Sequence, residues 1–118
     1  MKLFRVITLV LFAITILWHA SLCWSRPPSS IQLEYFKEEQ ILRIDVKHVS
    51  KNPRDHHIRK LIVFRNDEEV EKFLFVTQSK AYGFSKEIPL VAHTDDVIRV
   101  KATCSKAGRK EETLIIPK

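Results

Sequence analysis

The stretch Ile41-Leu42-Arg43-Ile44-Asp45-Val46-Lys47-His48 decides how this chain folds. Leu42, Ile44 and Val46 alternate with Arg43, Asp45 and Lys47. Successive side chains of a strand point to opposite faces, so this pattern predicts a strand with one buried face. His48 falls in phase with the apolar set and ends its row. A second stretch repeats the arrangement. Ile98, Val100 and Ala102 alternate with Arg99, Lys101 and Thr103, and Cys104 comes next on the apolar side. A histidine and a cysteine, both metal-ligating types, thus end the core-facing rows of two strands.

Working outward, Ile31, Leu33 and Tyr35 alternate with Gln32 and Glu34, which predicts a first strand. Residues 37–40 form a polar turn, and Asn52-Pro53 marks a loop after the second strand. Further strands are expected at residues 58–64, 70–77, 84–91, 97–104 and 112–116. Arg65-Asn66-Asp67-Glu68 and His93-Thr94-Asp95-Asp96 read as turns between them. Pro89 lacks an amide donor and moves its strand to a sheet edge. About seven short strands with recurrent turn signals and no convincing helix predict an all-β, immunoglobulin-like antiparallel β-sandwich.

Composition agrees. The hydrophobic fraction of 45% and charged fraction of 29% suit a folded globular chain rather than a disordered one. At 118 residues there is room for one folded domain.

Residues 1–25 are expected to be removed. Lys2 and Arg5 form a basic start, and residues 6–18 are apolar apart from Thr8 and Thr15. That run matches the core of a secretory signal peptide and is too short to span a bilayer. Small residues at 21, 23 and 25 then suit cleavage after Cys23 or Ser25. The domain occupies residues 26–118, secreted to the extracellular or periplasmic space, with no transmembrane segment after processing. Processing takes Lys2 and Arg5 from the 20 basic residues and nothing from the 14 acidic ones, leaving 18 − 14 = +4. It also takes Cys23, so Cys104 has no partner within the mature chain and a disulfide framework is excluded.

Three motifs together resemble a known family. Val46-Lys47-His48, then His56-His57-Ile58-Arg59-Lys60-Leu61, then Val100-Lys101-Ala102-Thr103-Cys104 with Gly108 beyond, are similar to the iron-binding domain of the superoxide reductases, desulfoferrodoxin and neelaredoxin. Small secreted desulfoferrodoxin-like proteins are the nearest in kind. The stretch from Phe64 through Val70 to Phe73 and Phe84 carries the likeness on, over roughly residues 40–108. The resemblance implies an immunoglobulin-like sandwich whose iron is held by four histidines and an axial cysteine thiolate, with a sixth position open to superoxide. Thiolate donation raises electron density on such an iron. His48 and His56 match two of the histidine ligands, and Cys104 matches the axial ligand.

The chain departs from the family at two ligands. Cys104 is followed by Ser105, Lys106, Ala107 and Gly108, where the family has Asn-x-His-Gly. Ala107 stands in the place of a ligating histidine and offers no donor atom. The family's upstream Glu-Lys-His motif is also missing, since no histidine lies between Ser25 and His48. At best His48, His56 and Cys104 remain. Iron is then expected to bind weakly or not at all, and zinc or copper suits the donors as readily. His57 and His93 are the other imidazoles of the expected domain available to stand in.

Each residue also has a plainer reading. His48 could be a hydrogen-bonded strand end, Cys104 a buried inert thiol, and His56-His57 an exposed loop end. Arg54, Arg59, Lys60, Lys101, Lys106, Arg109 and Lys110 gather near the loops that would flank the site. They suit an anionic substrate, a polyanionic surface or an unidentified protein partner, or simply a solvated face. No aromatic residues interleave with them, which argues against nucleic acid. The reading favoured by the two missing histidines is a secreted, non-catalytic binding or interaction protein with a lost or weakened metal site. The alternatives are an iron-dependent superoxide reductase and a secreted metal-binding protein.

Overall fold

The computed structural model describes residues 28–106 and 108–118. The expected signal segment, residues 1–25, and Ala107 lie outside the described residues. Seven strands follow one another: β1 (Ser30–Phe36), β2 (Ile41–Lys47), β3 (Ile58–Arg65), β4 (Glu68–Leu74), β5 (Gly83–Pro89), β6 (Val97–Cys104) and β7 (Arg109–Ile115). Among the described residues there is no helix, and so none long and apolar enough to cross a membrane.

The strands form two antiparallel sheets, one ordered β1-β2-β5 and the other β4-β3-β6-β7. The chain changes sheet between β2 and β3, β4 and β5, and β5 and β6. This is a seven-strand sandwich of immunoglobulin type, with β4 on the larger sheet rather than beside β5. β5 pairs only with β2, which leaves it at an edge, where Pro89 is tolerated.

The period-two rows meet between the sheets. Leu42 and Ile44 from β2 face Leu61 and Val63 from β3 and Ile98, Val100 and Ala102 from β6, all at 0% exposure. Phe73 and Phe75 are expected in this core but are only half-buried. β4 is an edge strand, so its side chains are covered from one flank only. Phe75 instead leans on Phe84, with ring centroids 5.3 Å apart.

Two irregularities stand out, and the first shapes the site. The β3–β6 register shifts between Ile58 and Lys60. Arg59 is the extra residue, and its carbonyl accepts from Phe75 N at 2.9 Å. This bulge lets Ile58 and Leu61, three residues apart, both face the core. The β3–β4 turn is tighter than the sequence suggests. Asn66 and Asp67 take φ of 50° and 65°, so a two-residue turn suffices and β4 starts at Glu68.

Candidate metal centre

One end of the sandwich carries all three expected ligands. β2 runs out at Lys47, but its ladder continues for two further bonds. His48 N donates to Tyr82 O at 2.9 Å and Ser50 N to Ala81 O at 2.6 Å. The strand phase therefore persists to His48, whose ring turns inward at 1% exposure. Cys104 ends β6 in phase with Val100 and Ala102, and its thiol is buried.

His56 comes from the loop between β2 and β3. Asn52 O accepts from Asp55 N at 3.1 Å and from His56 N at 2.8 Å, winding the loop into a turn. Ser50 Oγ donates to His56 O and closes it from the other side. The His56 ring meets the His48 ring edge to face, with centroids 4.6 Å apart and planes at 87°. One donor atom from each of His48, His56 and Cys104 lies within 4.8 Å of the other two.

His57 and His93 stay away from this group. His57 Nε2 lies 3.1 Å from Phe75 O, to which it donates, and its backbone bonds to Ser105 in both directions. Those bonds, with Ser105 Oγ donating to Asp55 O, join the loop after Cys104 to the histidine loop. His93 sits in a turn with its side chain 81% exposed, 3.8 Å from Asp96. Residues 90–96 leave β5 at the end remote from Gly83, so His93 lies at the opposite end of the sandwich.

Gln78 has no place in the sequence reading, yet it organises the site. It is 5% exposed in the loop between β4 and β5. Its Nε2 donates to His48 O at 2.8 Å and to Lys80 O at 2.7 Å. Two carbonyl neighbours identify that atom as the amide nitrogen, so Oε1 is the atom 2.8 Å from His48 Nδ1 and 3.3 Å from Ile58 N. Nδ1 must then carry the imidazole hydrogen, leaving the lone pair on Nε2. His48 Nε2 is buried and has no hydrogen-bond partner among the described residues. An unmatched buried acceptor costs about 1–3 kcal/mol. A metal ion would use that lone pair, and a second ring nitrogen held by an oxygen acceptor is the usual support of a ligating histidine.

The donor set therefore fits a metal. Two imidazoles and a thiolate suit zinc, copper or iron by type. The longest separation permitted by the 4.8 Å bound exceeds the roughly 3.5–3.8 Å expected for donors sharing one ion, so binding draws the three together by up to about 1 Å.

The surrounding bases divide between the loops at this end and the outer face of one sheet. Arg54 and Lys106 are exposed on the loops at this end. Lys60, Lys101 and Arg109 occupy outward rows of β3, β6 and β7, where Lys101 stands opposite Glu111. Lys110 turns to Ser29, its ammonium 3.3 Å from the carbonyl.

Fold and site together define a class: a β-sandwich with a two-histidine, one-cysteine group at one end, His48 and Cys104 buried and His56 half-buried, that could hold a metal ion. No family model matches this chain, and no curated protein is similar enough to count as a match.

Proposed function

We propose that this protein is an exported, non-catalytic metal-binding β-sandwich, related to the superoxide reductase iron domains but without their iron chemistry. The observation that carries the reading is the buried lone pair of His48 Nε2, within a group whose three donor atoms lie inside 4.8 Å of one another. A buried ring nitrogen without a partner among the described residues is not enough by itself, since His57 Nδ1 shares that state outside the group. What distinguishes His48 is that Gln78 holds one ring nitrogen while the ring converges with His56 and Cys104. The missing histidines at Ala107 and upstream of His48 take away ligands that a five-donor iron site needs, which favours binding over reduction. The ions that suit the remaining donors are those content with two nitrogens and a thiolate.

The test is metal titration of reduced, chelator-treated mature protein with Fe(II), Zn(II) and Co(II), the last as a chromophore for thiolate ligation. One equivalent of metal should bind, and Cys104→Ser should remove the thiolate-to-cobalt band. Absence of stoichiometric binding by any ion would overturn the reading and leave the basic loops Arg54 and Lys106 as the place to seek a partner. A tight ferrous site with a thiolate-to-ferric band on oxidation would put the reductase reading first.

A further inference from the structure

We propose that the His48–His56–Cys104 centre is selective for copper, held by these three donors alone. The inference rests on the metal-binding reading and adds the identity of the ion.

The first argument is the donor count. Among the described residues no further histidine, cysteine, aspartate or glutamate joins the group. Of the polar atoms around it, His57 Nδ1 is buried without a partner among the described residues but lies outside the group, and the others are engaged. Gln78 Oε1 accepts from His48 Nδ1 and Ile58 N. Ser105 Oγ donates to Asp55 O, and Ser50 Oγ donates to His56 O. His57 Nε2 is committed to Phe75 O. No thioether is at hand either, because the chain's methionine is Met1, in the segment expected to be removed.

The second argument is which ions accept three donors. Zinc is almost always four-coordinate and fills an open position with water, and iron in low-ligand sites takes up several. His48 and Cys104 are 1% and 4% exposed and His56 is half-buried, so two of the three donors are closed to added water and the approach left is past His56. Cuprous copper favours thiolate, and trigonal two-histidine, one-thiolate coordination is the arrangement of cupric electron-transfer sites. Among divalent ions the affinity order for a given nitrogen and sulfur site also rises from iron to copper and falls again at zinc, which favours the cupric form. Donor number and softness therefore point to the same ion.

The third argument is rigidity. His48 is pinned by Gln78 and by the ladder to Tyr82, and Cys104 by its strand and by Cys104 N donating to Gly108 O at 3.0 Å. Two of the three donors are thus placed before the ion arrives, and the adjustment falls to His56 on its loop.

The experiment uses the mature protein under anaerobic reducing conditions. Cu(I) is titrated against a chromophoric cuprous chelator, and Zn(II) and Fe(II) against their own indicators. One Cu(I) per chain should bind, at least about tenfold more tightly than Zn(II), because the soft thiolate and the low donor number favour the cuprous ion. One-electron oxidation of the loaded protein with ferricyanide should produce an intense visible thiolate-to-copper band. Cys104→Ser should lose that band, and His93→Ala, altered at the far end, should keep it. If Cys104→Ser does not fold, His56→Ala tests the same point through a loss of Cu(I) affinity. Stoichiometric zinc that copper does not displace would overturn the copper assignment while leaving the metal-binding reading intact. Failure of all three ions would overturn both.

Discussion

Gln78→Ala is the substitution that most directly separates a ligating His48 from a merely buried one. The amide makes four hydrogen bonds at 2.7 to 3.3 Å. Truncation removes all of them. Lys80 is exposed, so its carbonyl turns to water, but His48 and Ile58 are each 1% exposed and their groups are stranded. At about 1 kcal/mol per net bond, with a further 1–3 kcal/mol for a stranded group, the total approaches several kcal/mol. Water entering the vacated polar space recovers part of this, leaving about 2–4 kcal/mol. The loss should appear as a lower denaturation midpoint with an unchanged slope. The second effect is on metal affinity. With Nδ1 released, neither tautomer nor ring orientation is held, and loss of such support typically weakens binding by about 10–100-fold. Gln78→Glu separates the two effects. It loses both donor bonds and therefore stability, yet keeps an oxygen against His48 Nδ1, so its affinity should stay close to that of the parent. Both quantities can be read on one preparation, stability by urea titration and affinity by competition. A folded Gln78→Ala protein with unaltered metal affinity would falsify the assignment of Gln78 as a positioning residue.

Three other outcomes are expected. Gly83 has φ of +143°, and a Cβ there would lie 2.0 Å from Val46 O, a backbone atom that cannot step aside. Gly83→Ala should cost at least about 3 kcal/mol and disturb His48 through the β2–β5 pairing, measured by thermal denaturation and metal titration together. Asp96 accepts from Asn66 Nδ2 and His93 N, each at 2.9 Å, and the Asn66 bond first, then the His93 amide, hold its carboxyl below its ordinary 3.8. A depressed carboxyl contributes stability above its unfolded value and loses it as pH falls through the folded one. The advantage of the parent over Asp96→Asn should therefore be full above pH 3.8 and shrink in stronger acid; an advantage independent of pH would count against this. Finally, N-terminal sequencing of exported material should begin between Trp24 and Pro28, and an intact Met1 would refute processing.

The sequence by itself determined the sandwich and, from strand alternation, placed two of the three residues that could hold a metal ion, the third, His56, being named through the family resemblance. Alternation is a local property of extended backbone, so Leu42-Ile44-Val46 and Ile98-Val100-Ala102 declare their buried faces without any knowledge of partners. His48 and Cys104 are legible for the same reason, as the next members of those rows. Tertiary structure decided what had no period. Whether His56 or His57 would face the site depended on the Asn52 turn, the Ser105 bonds and the bulge at Arg59, all contacts with other segments. Phe73 and Phe75 look like core residues in sequence, and only the position of β4 at a sheet edge leaves them half-covered. Gln78 was invisible because a glutamine in a polar loop carries no pattern. Its partner His48 lies 30 residues away in sequence, and only the packing of the β4–β5 loop over the end of β2 brings the amide to the imidazole.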